Sequence, residues 1–485
     1  MNKNNANDGG ANASGGRRKR VLILGGGFGG LYAARRLGQT LGRRADVEVA
    51  LIARENYLLF TPMLHEVAAG DLNPADIVAP VRKMVRNARL IQGEVTGIDV
   101  QAHVVCYRVG ALRQPREITY DHLLIALGSE THYFGMSDVE AVAATMKSLA
   151  DAALLHTRMV AALEEAAQDT DAERRRHLLT FVVAGGGFAG VETVGAVNDF
   201  LRDAIRHYPE LHSSMLRVVL VHSGELVLPE LNERLSRYTM QKLSGRGVEL
   251  RLGARVSGYR AGMVLVTPGE PIGSMSLIWT AGATPAPVLS SLNVEKVKGR
   301  LKVNEFLEVA GQEGVGWAVG DCAAVPDGDG FHPPTAQHGM REGVAAARNI
   351  EAAVTGGQRV PFRFSTIGQL ASIGHRVGVA QVLGMRFSGL AAWWLWRTVY
   401  LAKLPGFSKK LRVAIKWSLE LLFPREIEQL VTFRDLDRVE KLGALLRATR
   451  SEAEVQASQG LRWQEDSSRR GSVSRPSGVE NHVGH

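Results

Sequence analysis

Two stretches of the 485-residue chain hold glycine at spacings that can do chemistry: RVLILGGGFGG at Arg20–Gly30 and TFVVAGGGFAG at Thr180–Gly190. Each reads G-x-G-x-x-G, at Gly25, Gly27 and Gly30 and at Gly185, Gly187 and Gly190. A glycine turn opening onto a helix presents backbone N–H groups at the positive end of the helix dipole, with no side chain in the way. That arrangement suits the pyrophosphate of a dinucleotide. One such loop could be a structural turn; two copies, each set in the same context, argue for two dinucleotide sites.

The context is a βαβ unit. Apolar strands are expected at Val21–Leu24 and Phe181–Ala184, helices at Leu31–Leu37 and Val191–Phe200, and second strands at Val47–Ile52 and Arg217–Val221. Strand, glycine turn, helix and parallel strand, repeated 160 residues apart, predict an α/β protein with two doubly wound, Rossmann-type domains. Two dinucleotides in one chain imply electron transfer between them, with one redox-active and resident, a flavin, and the other a nicotinamide. Only Cys106 and Cys322 are present, far apart, so no disulfide framework, zinc site or redox cysteine pair is encoded. The acceptor must be diffusible.

The net charge is +9, and most of it is local. Between Arg386 and Arg425 eight Lys/Arg face one acid, Glu420, and four of the seven tryptophans (Trp393, Trp394, Trp396 and Trp417) lie in the same region. Arg397 and Lys403 interrupt the first apolar run, which is too short and too charged to span a bilayer. In the second, Leu411, Ala414, Ile415, Leu419 and Leu422 form an apolar stripe, and Arg412, Lys416 and Glu420 a polar one. The expectation is a separable amphipathic anchor on an anionic membrane surface, its tryptophans at the headgroup boundary. The competing reading is a helical hairpin packed on the core or across a homodimer. Basic residues alternating with Leu, Val and Trp do not suit nucleic acid. The N-terminus has no signal-peptide pattern, so the chain is expected in the cytoplasm, on the cytoplasmic face of the cell membrane.

ENYLLFTPMLHEVAAG (Glu55–Gly70), GGGFAGVE (Gly185–Glu192), WAVGDCAAVP (Trp317–Pro326), PPTAQHGMREG (Pro333–Gly343) and the tryptophan-rich tail resemble the single-subunit type II NADH:quinone oxidoreductases, from about Arg20 to Leu430. The resemblance implies an NADH domain (136–285) inserted in an FAD domain (20–135 and 286–385). An anchoring segment (386–430) would follow, with a disordered leader (1–19) and a helix with a disordered tail (431–485) at the ends. It implies FAD at Gly25, Gly26, Gly27, Phe28, Gly29, Gly30, Arg54, Val95, Gly320 and Asp321. NADH would lie at Gly185, Gly187, Phe188, Gly190 and His222, and quinone at Gln337 and Arg341. Glu192 would be a proton relay near the nicotinamide; its alternative is a first-turn acid on the helix dipole. Asp321 also reads as the cap of a helix beginning at Cys322.

The chain departs from the family pattern at four places. Ala53 stands where an acid binding the FAD adenosine ribose is usual, and His222 where the acid binding the NADH ribose is usual, which leaves NADPH open beside NADH. Arg341 replaces a second glutamine. His338 reads either as a helix-surface residue or as a proton donor to quinone. The activity implied is FAD-dependent NADH oxidation with quinone reduction and no proton pumping. The alternatives are a soluble NAD(P)H:acceptor diaphorase or ferredoxin-type reductase, and a non-catalytic flavin- and NAD-binding regulatory protein.

Overall fold

The structure, a computed structural model, describes residues 17–423 together with Ile427, Glu428 and Ala444. The tail from 431 on, Ala444 apart, and most of the leader lie outside the described residues.

Two five-stranded parallel sheets organise the chain. The first runs, edge to edge, Gly316–Ala318, His122–Ile125, Lys19–Leu24, Val47–Ala53 and Arg89–Gln92. The second runs Ala144–Thr145, Ser276–Trp279, Thr180–Ala184, Arg217–His222 and Val248–Leu252. Their central strands, VLIL and FVVA, are fully buried because helices cover one face of each sheet and a three-stranded antiparallel sheet covers the other (Glu94–Asp99, Val104–Val109 and Gln114–Thr119 on the first; Arg255–Arg260, Met263–Thr267 and Ile272–Gly273 on the second), so they read as continuous apolar runs rather than alternating ones. The first strand begins at Lys19, inside the expected leader. Between the sheets the chain crosses twice, and the crossovers pair as antiparallel strands Ser129–Thr131 and Ala283–Pro285.

After the helix Ala336–Thr355 comes a three-stranded antiparallel sheet, Gly368–Ser372, Gly378–Val382 and Met385–Gly389. A helical hairpin follows, Leu390–Lys403 and Phe407–Glu420. Among the described residues no helix is long and apolar enough to cross a membrane.

The hairpin corrects two expectations. Trp393, Trp396 and Trp417 are buried, and only Trp394 is exposed, at 51 %. Trp396 and Trp417 belong to the core that contains the second sheet. Their large rings fill the joint between hairpin and body, and burial there outweighs their affinity for a headgroup boundary. Two residues of the polar stripe, Lys416 and Glu420, also turn inward, while Arg412 stays exposed. Lys416 pairs with buried Asp76, and Glu420 with Arg397, which is 3 % exposed and held over the faces of Trp393 and Trp417. The apolar stripe therefore faces out, with Leu411, Ile415, Leu419 and Leu422 all exposed. Because the strand Met385–Gly389 pairs along Gly378–Val382 and the buried tryptophans are core, the segment from Arg386 on is not a detachable anchor.

Candidate functional site

Both glycine loops fold alike. Gly25 takes φ +102°, and a Cβ there would stand 2.1 Å from the carbonyl oxygen of Ala126, so only glycine fits. Gly185 takes φ +110° in the second loop. Gly30 and Gly190 lie directly against the carbonyls of Gly25 and Gly185. Gly27 and Gly187, the N-caps of helices Phe28–Gln39 and Phe188–Ala204, have no atom within 4 Å of a Cβ position and make no side-chain cap. Each loop thus ends in uncapped N–H groups facing open space, which is the cradle an anionic pyrophosphate requires.

Around the first loop the expected residues come together. Gly29 abuts Val319 and the carbonyl of Gly339, and Gly343 abuts Gly29, which brings the first two turns of helix Ala336–Thr355 against the loop helix. Gly320 donates its N–H to buried Glu342, whose carboxyl burial pushes up to about 7. Asp321 accepts a hydrogen bond of 2.7 Å from Ser129 on the crossover. No helix begins at Cys322: residues 320–322 form one 3-10 turn and the chain re-enters a strand, so the capping reading of Asp321 fails. Arg54 is exposed at the end of the second strand and donates to Glu55 at 2.8 Å, while Val95 packs half-buried on the first core. Ala53 is buried against Gly26, where a Cβ added to the glycine would stand 2.8 Å from the Cβ of Ala53.

At the second loop, His222 folds back on the glycines. Its Nδ1 accepts the N–H of Gly186 at 3.1 Å, and burial lowers its pKa. The position that a ribose-binding acid would occupy is filled by a neutral ring. Phe188 opens the loop helix, half-buried.

Glu192 sits in the second turn of that helix, not the first, and its side chain is 12 % exposed, so the helix-dipole reading does not hold. Its Oε1 accepts the N–H of Ser372 and the indole N–H of Trp396, both at 3.2 Å. Its Oε2 lies 3.8 Å from Nδ1 of His65. Burial pushes the carboxyl up to about 8, against the smaller opposing effect of those two donors, and burial drives His65 down to about 3. An aromatic row connects this acid to the first loop, with ring centroids 6.0 Å apart for Phe28–Phe60, 6.1 Å for Phe60–Tyr400 and 4.9 Å for Tyr400–Trp396.

Gln337 donates to the carbonyl of Gly368 at 3.2 Å, and Arg341 lies over the ring of Phe364 at 4.2 Å. His338 is not a surface residue. It is 1 % exposed, bridged between the hydroxyls of Thr335 and Thr366, and burial lowers its pKa to about 4. Both cysteines are free, and burial pushes the Cys322 thiol up to about 11, so neither forms a redox pair. Sequence reasoning misses Ser129, His65 and Ser372 as partners. Glu342 stands inside a quoted motif without a role there, and Trp396, expected at the membrane, is a ligand of the buried acid instead.

Comparisons with known proteins agree with this architecture. Residues 19–343 match the family described as pyridine nucleotide-disulphide oxidoreductase, and residues 367–426 match the NDH2 C-terminal domain. The type II NADH:quinone oxidoreductase Ndh of Mycobacterium tuberculosis is 32 % identical over 465 residues, covering 90 % of this chain and 97 % of that protein. The demethylphylloquinone reductase of Synechocystis is 29 % identical, covering 82 % and 96 %. The fold is shared with NDH2 from Plasmodium falciparum, solved in complex with NADH, at TM-score 0.78 and 18 % identity, over 85 % of this chain and 100 % of that one. Full-length similarity at this level, on both the glycine-loop body and the C-terminal hairpin, makes the chain a member of the type II NADH:quinone oxidoreductases.

Proposed function

We propose that this chain oxidises NADH and reduces a membrane quinone through FAD, without pumping protons, as a peripheral enzyme on the cytoplasmic face of the cell membrane. The observation that carries the reading is the pair of uncapped, open glycine loops in one chain that has no cysteine pair to take electrons. Bound FAD supplies two-electron chemistry between a nicotinamide and a quinone. The loop Gly25–Gly30, with Arg54, Val95, Gly320 and Asp321, holds it. Gly185, Gly187, Phe188, Gly190 and His222 hold the nicotinamide dinucleotide. Residues 20–135 and 286–385 form the flavin part, and 136–285 the nicotinamide part.

Gln337 and Arg341 orient the quinone head. Glu192, neutral at pH 7 because burial disfavours its charge, is the proton source between loop helix and hairpin. The exposed Leu411, Ile415, Leu419 and Leu422 enter the interface of the bilayer. Arg386, Lys403, Lys409, Lys410 and Arg412 face anionic lipid, each contributing about 1 kcal/mol near such a surface.

Turnover of a long-tailed quinone and of ferricyanide by the holoenzyme tests the reading. Glu192→Gln should lower quinone reduction by about 10²-fold, the lower end for loss of a general acid, and ferricyanide reduction far less. Equal loss with both acceptors would remove the role of Glu192. A flavin-loaded wild-type protein with no NADH:quinone turnover would remove the function.

A further inference from the structure

His65 is a buried titratable side chain to which the proposed function gives no part. It lies on the helix Leu64–Ala68, 6 % exposed, with its ring 5.4 Å from that of Trp396. The two oxygens of Glu192 are not equivalent. Oε1 accepts two N–H groups, from Ser372 and Trp396, so the proton of the neutral carboxyl belongs on Oε2, and Oε2 is the oxygen that faces His65 Nδ1 at 3.8 Å. Among the described residues the other ring nitrogen, Nε2, is buried without a hydrogen-bond partner. A buried imidazole with one nitrogen unpartnered and the other 3.8 Å from a carboxyl oxygen, beyond hydrogen-bond reach, costs stability, and such a group calls for an explanation.

The surroundings leave this couple to itself. Glu66, next in sequence, turns away to the indole N–H of Trp417 at 3.0 Å and toward Arg397 and Glu420. The Tyr400 hydroxyl, on the hairpin helix that carries Trp396, is buried beside Glu192; it is protonated at neutral pH, and burial raises its pKa further. No ionised group therefore comes between His65 and Glu192 among the described residues.

We propose that His65 is the positioning residue that returns a proton to Glu192 after that carboxyl has given its own to the quinone. The proposal rests on the role of Glu192 argued above. The net reaction, NADH + quinone + H+ → NAD+ + quinol, takes one proton from solvent. The O–H bond of Glu192 breaks toward the quinone oxygen. A water that enters the pocket during turnover then gives a proton to Nε2 of neutral His65, Nδ1 closes on Oε2 from 3.8 Å, the Nδ1–H bond breaks, and a new O–H bond forms at Oε2. The imidazole is left neutral in its other tautomer, which a ring flip or proton exchange resets. Because burial opposes a lasting charge on His65, the ring passes a proton on rather than storing it.

The test uses the flavin-loaded protein and two readouts. His65→Asn keeps a donor near the Nδ1 position but cannot carry a proton from one edge of the ring to the other. It should lower quinone turnover at least ten-fold more than ferricyanide turnover, with the loss deepening as pH rises. The infrared band of the protonated Glu192 carboxyl, assigned by its absence in Glu192→Gln, should titrate at a different pH in His65→Asn than in wild type. If His65→Asn fails to fold, His65→Gln is judged by the same two outcomes. A wild-type pH profile together with an unmoved carboxyl band would overturn the proposal. Full quinone turnover in Glu192→Gln would instead overturn the reading on which it rests, so the two failures are distinguishable.

Discussion

The indole N–H of Trp396 donates to Oε1 of Glu192 across 3.2 Å, so the C-terminal hairpin itself holds the buried acid of the second loop helix. A donor to a carboxylate favours the charged form. Trp396→Phe, which keeps most of the ring and removes the donor, should therefore raise the Glu192 pKa above its value of about 8. Titration of the carboxyl infrared band reads this directly. A fall, or no change, would mean that the contact does not act on the acid.

Glu192 also sets a pH dependence of stability. Its folded-state pKa of about 8 stands above the 4.5 of an ordinary glutamate, so its contribution is fully present below about pH 4.5 and is lost as pH rises toward 8. Glu192→Gln removes that dependence. Between pH 5 and 8 wild type should lose stability relative to the variant, on the order of 1–3 kcal/mol, in chemical denaturation at fixed ionic strength. Parallel stability curves would contradict the burial argument.

Arg397 predicts a larger cost. Its guanidinium is enclosed between Trp393 and Trp417 and paired with Glu420, with Glu66 close by. Arg397→Leu removes the buried guanidinium that Glu420 pairs with and the two indoles enclose, and should destabilise by about 3–5 kcal/mol. Joint replacement with Glu420→Leu should recover part of that loss. Denaturant midpoints for the two variants decide between a structural clamp and a surface pair, for which the cost would be under about 1 kcal/mol.

Much of this was legible in the sequence, for reasons visible at single residues. Buried parallel strands show as apolar runs, and loops that approach a carbonyl within 2.1 Å admit only glycine, so Val21–Leu24 and Gly25 announced themselves. The hairpin was harder. An amphipathic pattern says which face is apolar but not which face meets the protein, and Lys416 and Glu420 turn inward because Asp76 and Arg397, distant in sequence, wait there. His338 and His65 have no local signal of burial, since burial is conferred by segments that meet them only in the fold.

The two positions Gly187 and Gly190 separate binding from folding. A Cβ at Gly187 meets nothing within 4 Å, so Gly187→Val should leave stability and flavin content near wild type while raising KM for NADH by roughly ten-fold or more, since a side chain there blocks the approach of a pyrophosphate. At Gly190 a Cβ would stand 1.8 Å from the carbonyl oxygen of Gly185, so Gly190→Ala should fail to accumulate as folded protein. Steady-state kinetics and thermal denaturation together check the contrast. Flavin loss in Gly187→Val with normal KM for NADH would reverse the assignment of the two loops.

The outward apolar stripe gives a membrane test that leaves the core intact. Leu411, Ile415 and Leu419 are 53 %, 51 % and 47 % exposed, so changing all three to Ser should alter stability little and release the protein from anionic liposomes. Moderate salt should extract wild type only in part, because screening weakens the lysine and arginine attraction but not apolar burial. Continued sedimentation of the triple variant, or complete release of wild type by salt, would show that the stripe does not meet the bilayer.

The central claim, electrons from a nicotinamide through FAD to a quinone, is tested most directly by anaerobic titration of the purified yellow protein while its visible flavin absorbance is followed. NADH should bleach the flavin at one equivalent, and NADPH should do so too, because the neutral His222 neither repels a 2′-phosphate nor grips a 2′-hydroxyl as a carboxylate would. Quinone added afterwards should restore the colour in full. A flavin that NADH does not bleach, or that stays bleached when quinone is added, would contradict the account.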